Sequence, residues 1–258
     1  MTNTGYTIDL KDVSLRPSGC EKYVLKDITL SIKRSEIVAI VGLNGAGKSS
    51  LLRGMAGEID EGLSGSILVG GQLVDRPINQ IIDGVGVVHQ SDESDLIDHL
   101  TVAQNICIRE MLGGGFGGIF ANTAGWRRDM AGRLASEAKL SAFNLDSVVG
   151  KLSGGLRQML SVAIAIHLEH KRNPCRALLL DEHTARLDHQ HARNVIQYTV
   201  EQARASEATV AMVTHRYNDA IEFADRIVVI CDGSIKHELL KGSGFTFDGL
   251  KNCVEGGA

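Results

Sequence analysis

The chain has 258 residues, of which 43% are hydrophobic and 22% charged, so it is neither a disordered nor a fibrous sequence. Its 27 lysines and arginines are outnumbered by 31 aspartates and glutamates, and with a net charge of −4 we expect no nucleic-acid partner. The 5 cysteines show no CxxC spacing and predict free thiols. We expect no secretory signal at the polar N-terminus, and no apolar run reaches the ~20 residues that span a bilayer.

Short β-branched runs recur along the chain and predict strands. Several runs, such as IVAIV from Ile37 and ALLLD from Ala177, are apolar at every position, which is typical of parallel strands covered by helices. The first two predicted strands alternate more and favour an antiparallel layer at one edge. In chain order, the predicted strands are 6–10, 24–32, 36–41, 65–69, 84–89, 177–181, 208–214 and 226–231.

Helical periodicity fills the intervals between these strands. The segment from about 91 to 172 has no convincing strand and predicts an inserted helical region. Within that region, GGGFGGIF from Gly113 is too rich in glycine for a helix and predicts a loop. The predicted helices are 47–56, 102–111, 127–142, 155–170, 189–205 and 218–224.

The motif GLNGAGKS follows the apolar strand at 36–41 directly and begins the first helix. It fits the phosphate-binding loop pattern, in which glycines turn backbone N–H groups toward a phosphate at the positive end of a helix. Lys48 would reach the β- and γ-phosphates, and the Ser49 hydroxyl would ligate Mg²⁺. The predicted nucleotide-binding residues of this loop are Gly42, Asn44, Gly45, Ala46, Gly47, Lys48, Ser49 and Ser50.

The motif ALLLDEHT is a second apolar strand that ends in two carboxylates. Asp181 at the strand end would lie beside the phosphate loop and hold Mg²⁺. Glu182 would point toward the γ-phosphate and orient or deprotonate the attacking water. A strand that ends in solvated acids is common by itself, but downstream of a phosphate loop the catalytic interpretation is favoured.

The motif LSGGLRQ begins the helix at 155–170 and leaves its N-terminus bare. Ser153, Gly154 and Gly155 therefore predict a second anion site, although an isolated Ser-Gly-Gly also suits a plain N-cap. One nucleotide does not need two such sites from the same chain. We therefore expect this site to serve a nucleotide held by another copy.

With these three motifs in this order, the sequence resembles the ATP-binding cassette ATPases over nearly all of its length. The resemblance implies an α/β fold, with a P-loop NTPase core of mixed sheet, an antiparallel β subdomain and an inserted α-helical subdomain. It implies one ATPase domain over 1–258, divided into three parts. These are a core with the antiparallel layer at 1–90 and 173–242, a helical subdomain with the signature motif at 91–172, and a C-terminal tail at 243–258.

The resemblance also assigns roles that the three motifs do not. Gln90 matches the glutamine that touches Mg²⁺ and links the ATP site to a transmembrane partner, and His215 matches the histidine that contacts the γ-phosphate. Asp188 matches an aspartate that crosses a dimer interface, and Gln158 belongs to the signature motif that faces the nucleotide. The implied catalytic residues are Glu182, His215 and Lys48, and the implied metal ligands are Ser49, Gln90 and Asp181.

The function implied by the resemblance is ATP hydrolysis, with Mg²⁺ as cofactor, by a head-to-tail dimer of two ATPase subunits. Such a dimer drives a separate membrane permease and lies against the inner face of the cell membrane. The stretches around DEHT and WRRDMAGR are similar to importers that work with a substrate-binding protein, so uptake is favoured. An exporter subunit and a soluble ATPase without a transporter remain the alternatives.

One departure from the family concerns the adenine. Family members usually stack it on an aromatic ring in the first β-segment, where this chain has Arg16 and Pro17. Tyr23 lies a few residues further on. The adenine is therefore expected to stack on either Arg16 or Tyr23.

Overall fold

The computed structural model describes residues 6–59, 61–75, 77, 84–89, 96–114, 144–168, 177–242 and 246–256. Its strands are β1 Tyr6–Leu15, β2 Leu25–Lys33, β3 Ile37–Val41, β4 Leu63–Val69, β5 Gln72–Leu73, β6 Val85–Val88, β7 Ala177–Asp181, β8 Thr209–Val213, β9 Arg226–Cys231 and β10 Ser234–Leu240. Its α-helices are α1 Lys48–Met55, α2 Val102–Gly114, α3 Gly154–Leu168, α4 His189–Ala205, α5 Tyr217–Phe223 and α6 Phe247–Glu255.

The main sheet has the strand order β10-β9-β3-β8-β7-β6. Neighbouring strands are parallel except for β10, which pairs antiparallel with β9. Strand β3 is buried on both faces because Val38 and Ile40 point into one apolar cluster while Ile37, Ala39 and Val41 point into the other. The prediction that continuously apolar runs form parallel strands covered on both faces is confirmed.

A second sheet, of order β2-β1-β4-β5, is antiparallel and confirms the predicted antiparallel layer. Strand β1 continues to Leu15, beyond the predicted end at 10, because a register shift between Leu10 and Val13 lets pairing resume after an irregular step. The two sheets are joined at Arg226, whose guanidinium contacts both carboxylate oxygens of Glu36 at 2.9 and 3.0 Å and donates to the Ser31 carbonyl at 2.6 Å.

The described part of the predicted helical region contains α2, a 3₁₀ turn at Val149–Lys151 and α3. An isolated bridge between Thr101 and Val148 ties the chain before α2 to the chain before α3. Helix α2 continues to Gly114, so the predicted loop is wrong for Gly113 and Gly114. The predicted helix at 127–142 and most of the glycine-rich segment lie outside the described residues.

Two strands and one α-helix were not predicted from the sequence. Strands β5 and β10 lie at sheet edges and carry mostly exposed side chains, so they lack the apolar signal of the other strands. Helix α6 occupies the predicted C-terminal tail. It is capped by the Thr246 side chain, which accepts from the Gly249 N–H, and it buries Leu250 and Val254 on one face.

Among the helices described, none is long and apolar enough to cross a membrane.

Candidate functional site

The site is built where three neighbouring parallel strands end together. Residues Ile40 of β3 and Asp181 of β7 both pair with Val213 of β8, so the carboxyl ends of the strands are level. The pairing extends past the strand ends, because the Glu182 N–H donates to the Val213 carbonyl and the Thr214 N–H donates to the Ile40 carbonyl, both at 3.1 Å. The loops that follow these strands therefore start from fixed positions at one edge of the sheet.

The phosphate-binding loop connects β3 to α1 and needs glycine at its two ends. A Cβ added to Gly42 would lie 2.2 Å from the Ile230 carbonyl oxygen. Gly47 is the N-cap of α1 with a φ of 99°, and a Cβ there would lie 2.7 Å from the Val24 carbonyl oxygen. Because only glycine tolerates both the positive φ and these contacts, the backbone of β9 and of the residue before β2 fixes the shape of this turn.

Lys48 is the first residue of α1 and is 5% exposed. Its Nζ donates to the carbonyls of Gly42 at 3.0 Å and Leu43 at 2.9 Å, so the loop folds around its own ammonium group. Burial lowers the pKa of Lys48, while the carboxylates of Glu182 and Asp181 oppose that shift. The charge-assisted contacts hold the ammonium at the mouth of the loop, where an anion would bind.

The Ser49 hydroxyl donates to Asp181 Oδ1 at 2.9 Å and thereby joins the phosphate loop to the end of β7. Burial raises the pKa of Asp181, and this hydrogen bond partly offsets the rise. A hydroxyl and a carboxylate that converge in this way are the oxygen donors that Mg²⁺ prefers, so the residues present fit that ion. Gln90, the third predicted metal ligand, lies outside the described residues.

Glu182 and His215 follow the neighbouring strands β7 and β8, and their side chains contact each other. The Nδ1 atom of His215 lies 3.7 Å from Glu182 Oε2, and the side chains are 51% and 16% exposed. Glu182 has a φ of 42°, a left-handed conformation that is costly for a residue with a side chain. The Glu182 side chain lines the same cavity as the phosphate loop.

The phosphate loop and Glu182 line one cavity of about 360 Å³, a size typical of small-molecule sites, whereas Asp181 and His215 are not part of its described lining. Val24 was not predicted, because no motif marks it and its role depends on packing against Gly47. The described lining residues are Val24, Asn44, Gly45, Gly47, Lys48, Ser49, Ser50 and Glu182.

The signature residues lie at the N-terminus of α3 and do not belong to the described lining of this cavity. The Ser153 hydroxyl accepts weakly from the Leu156 N–H at 3.4 Å. Ser153 and Gly154 are exposed, whereas Gly155 is buried beside His191, so the first two residues of this predicted anion site are the ones open to solvent. Gln158, predicted to bind nucleotide, is only 4% exposed, which places it inside the fold rather than on this surface.

Asp188 caps α4 by accepting from the N–H groups of Gln190 and His191, both at 3.1 Å. Hydrogen bonds from His191 are the main cause of a lowered pKa at Asp188. The Asp188 carboxylate is exposed in the single chain, so it is accessible to a second subunit.

The two candidates for stacking on adenine form a pair. The Arg16 guanidinium carbon lies 5.5 Å from the centroid of the Tyr23 ring, which is a cation–π distance. Tyr23 is 48% exposed and immediately precedes Val24 of the cavity lining. The structure therefore brings Arg16 and Tyr23 together beside the site instead of separating them.

The loop between Gly42 and Gly47 folds around Lys48, Ser49 bonds to Asp181, and Glu182 lies in the same cavity. This combination defines a P-loop nucleoside-triphosphate site. Residues 25–185 match the family described as ABC transporter. Because this match covers more than half of the chain, the protein belongs to the ABC transporter family.

Curated relatives are sugar import proteins. The chain is 32% identical over 230 residues to a putative ribose/galactose/methyl galactoside import ATP-binding protein of Burkholderia ambifaria, with 88% of this chain and 42% of that protein aligned. It is 30% identical over 216 residues to the ribose import ATP-binding protein RbsA of Burkholderia pseudomallei, with 81% of this chain and 39% of that protein aligned. The chain thus spans about two fifths of the length of these relatives.

Solved structures share the fold. The dimeric post-hydrolysis state of the ATP-binding cassette MJ0796, bound to ADP and Pi, matches with a TM-score of 0.72 and 27% identity over 92% of this chain and all of that one. The protein cbiO1 of Clostridium perfringens, part of the transporter complex cbiONQ, matches with a TM-score of 0.76 at 24% identity over 95% of this chain and 93% of that one. The predicted P-loop α/β fold is confirmed.

The close packing of the phosphate loop predicts the effect of Gly47→Ala. A left-handed backbone costs a residue with a side chain about 1–2 kcal/mol, and the contact with Val24 adds to that cost. We expect the free energy of unfolding in urea to fall by more than this amount and a fluorescent ATP analogue to bind about tenfold more weakly.

The control is Gly19→Ala, where φ is 80° and the added Cβ meets no described atom within 4 Å. That variant carries the backbone cost alone and keeps its affinity for the nucleotide. Equal losses of stability and affinity in the two variants would contradict the packing argument.

Proposed function

We propose that the chain is the ATP-binding and ATP-hydrolysing part of an uptake transporter, and that it works as a dimer on a separate membrane permease. The single observation that carries the proposal is that five polar side chains lie together where β3, β7 and β8 end side by side. They are Lys48, Ser49, Asp181, Glu182 and His215. Each side chain has the chemistry that one part of a phosphoryl transfer to water requires.

The proposed reaction is the in-line attack of water on the γ-phosphate, which breaks the bond to the β-phosphate and gives ADP and inorganic phosphate. Glu182 orients the water and takes its proton, because its carboxylate faces the cavity beside the phosphate loop. Lys48 and His215 stabilise the negative charge that develops on the phosphoryl oxygens. Mg²⁺, held by Ser49 and Asp181, would neutralise phosphate charge when bound.

The second subunit completes the site in this proposal. The open N-terminus of α3 is outside the cavity of its own chain, so it is available to the nucleotide of a partner. Ser153, Gly154 and Gly155 would then bind the phosphates of the partner's ATP, and Asp188 would lie in the interface. The dimer of the similar MJ0796 cassette, solved with ADP and Pi, supports this arrangement.

Uptake is favoured over export by the relatives, whose names describe them as import ATP-binding proteins. In such a system the chain lies on the cytoplasmic face of the membrane through its permease, and a substrate-binding protein acts indirectly. A sugar is the substrate class that these names suggest. Export and transport-independent ATPase activity are the alternatives that the cassette chemistry also permits.

The catalytic assignment is tested with Glu182→Gln. This variant keeps the shape of the side chain and loses the base, so we expect ATP to bind with unchanged affinity and hydrolysis to fall by about 10²–10⁴-fold. We also expect ATP to trap a dimer that elutes early on size-exclusion chromatography. The control is Glu207→Gln, an exposed glutamate outside the site, which should hydrolyse ATP normally. Hydrolysis at the wild-type rate by Glu182→Gln would exclude Glu182 as the base.

The subunit arrangement is tested with Ser153→Arg. A long cationic side chain at the N-terminus of α3 should block approach of a second chain without changing nucleotide binding to the monomer. We expect no ATP-dependent dimer when this change is added to Glu182→Gln. Ser18→Arg, on an exposed loop, is the matched control and should dimerise. An ordinary dimer in the Ser153→Arg variant would refute the arrangement.

A further inference from the structure

An ion pair holds the first turn of the signature helix α3. Arg157 Nη2 contacts Asp98 Oδ1 at 2.6 Å, and Arg157 Nη1 contacts Asp98 Oδ2 at 3.4 Å. The two contacts use both arms of the guanidinium and both oxygens of the carboxylate, which fixes orientation as well as distance. Arg157 is 16% exposed and Asp98 is 58% exposed, so the cation is largely covered and the anion is not.

Asp98 is itself held in place by the chain around it. Its carbonyl accepts from the Gly150 N–H at 2.9 Å, which ties it to the turn just before the signature motif. On its other side, Asn105 of α2 is 3% exposed and bonds both the N–H of Ile97 at 2.7 Å and the carbonyl of Ile97 at 3.0 Å. The carboxylate therefore extends from a backbone that is anchored to two elements.

Arg157 shares a helical turn with the residues that would face the partner's nucleotide. Its N–H donates to the Ser153 carbonyl at 2.9 Å. Gly154 and Gly155 lie within that same turn and have no side chains of their own to fix it. Any rotation of this turn moves Ser153, Gly154 and Gly155 together with Arg157.

The covered guanidinium depends on this carboxylate. Arg157 Nε is buried and has no hydrogen-bond partner among the described residues, so the ionic contacts of this guanidinium are those that its two Nη atoms make with Asp98. Removing the negative charge would leave a largely buried cation unpaired, which favours displacement of the side chain and its turn.

We propose that Asp98 is a positioning residue for the signature motif: through Arg157 it holds Ser153, Gly154 and Gly155 in the orientation that receives the partner's nucleotide. This inference rests on the proposed function, in which α3 of one subunit completes the site of the other. Asp98 acts through Arg157 and touches no substrate itself.

The test is Asp98→Asn, which keeps the backbone contacts of Asp98 and removes its charge. In the Glu182→Gln background we expect ATP-dependent dimerisation, measured by analytical ultracentrifugation, to weaken about fivefold, the size expected of a partly exposed ion pair. In the wild-type background kcat should fall by about the same factor while KM changes less than about twofold, because the loss affects closure and not the chain's own cavity. Binding of a fluorescent ATP analogue to the monomer should not change.

Two controls separate positioning from a general loss of stability. Asp98→Glu keeps the charge and should recover most of the dimerisation. Glu222→Gln removes a comparable pair, with Arg193 at 2.6 Å, between α4 and α5, and should leave dimerisation unchanged. If Asp98→Asn does not fold, Arg157→Lys is measured instead, since it keeps the charge but loses the two-armed contact and should weaken dimerisation similarly.

Dimerisation and kcat at the parent values in Asp98→Asn, or in Arg157→Lys where that variant replaces it, would overturn the inference. Equal losses in Asp98→Asn and Asp98→Glu would also overturn it. Failure of the proposed function is distinguished by Ser153→Arg. If that variant dimerises normally, α3 does not serve a partner, whereas a block by Ser153→Arg without an effect of Asp98→Asn refutes the positioning role alone.

Discussion

The side-by-side order of β3, β8 and β7 is the constraint on which the site depends. Strand β3 lies more than a hundred residues before β7 and β8 in sequence, yet all three end at one level because their backbones pair in register. Lys48, Asp181 and His215 each follow one of these ends, so the sheet positions the phosphate loop, the carboxylates and the histidine before any of them contacts another. The contacts that do form, from Ser49 to Asp181 and from His215 to Glu182, adjust an arrangement that the sheet has already set.

In the proposed dimer each chain has two anion-binding elements: the phosphate loop would hold the chain's own nucleotide, and the N-terminus of α3 would meet the nucleotide of the partner. The loop before α1 is closed around Lys48 and lies in the cavity, whereas the N-terminus of α3 lies outside it. The first is fixed by contacts with neighbouring backbone at Gly42 and Gly47. The second packs at Gly154 against Leu187 and at Gly155 against His191, and Asp98, acting through Arg157, is proposed to orient it as well. Catalysis would then depend on whether the N-terminus of α3 in one chain contacts the nucleotide in the phosphate loop of the other.

The strands and the loop that could be predicted are those whose amino-acid pattern lies within a few consecutive residues. Continuous apolar runs predicted β3, β7 and β8, and the glycine spacing predicted the phosphate loop, because each of these features leaves its whole pattern within one short segment of sequence. Edge strand β10 and helix α6 were not predicted because the burial of their side chains depends on contacts with residues distant in sequence. Arg157 belongs to the signature motif, but its partner Asp98 lies 59 positions away and no sequence pattern indicates that the two pair. Likewise the burial of Gln158 follows from the packing of α3 and not from its place in the signature.

The central claim, that two chains each complete the other's nucleotide site, is tested most directly by mixing two inactive variants. Lys48→Ala removes the phosphate lysine, and Ser153→Asp places a negative charge where the partner's phosphates would lie without adding bulk, so neither variant alone has a complete site. In an equal mixture, half of the dimers contain one of each, and one site in such a dimer has a normal loop and a normal signature. The account predicts recovery of about a quarter of the wild-type ATPase rate. A mixture no more active than either variant alone would contradict it.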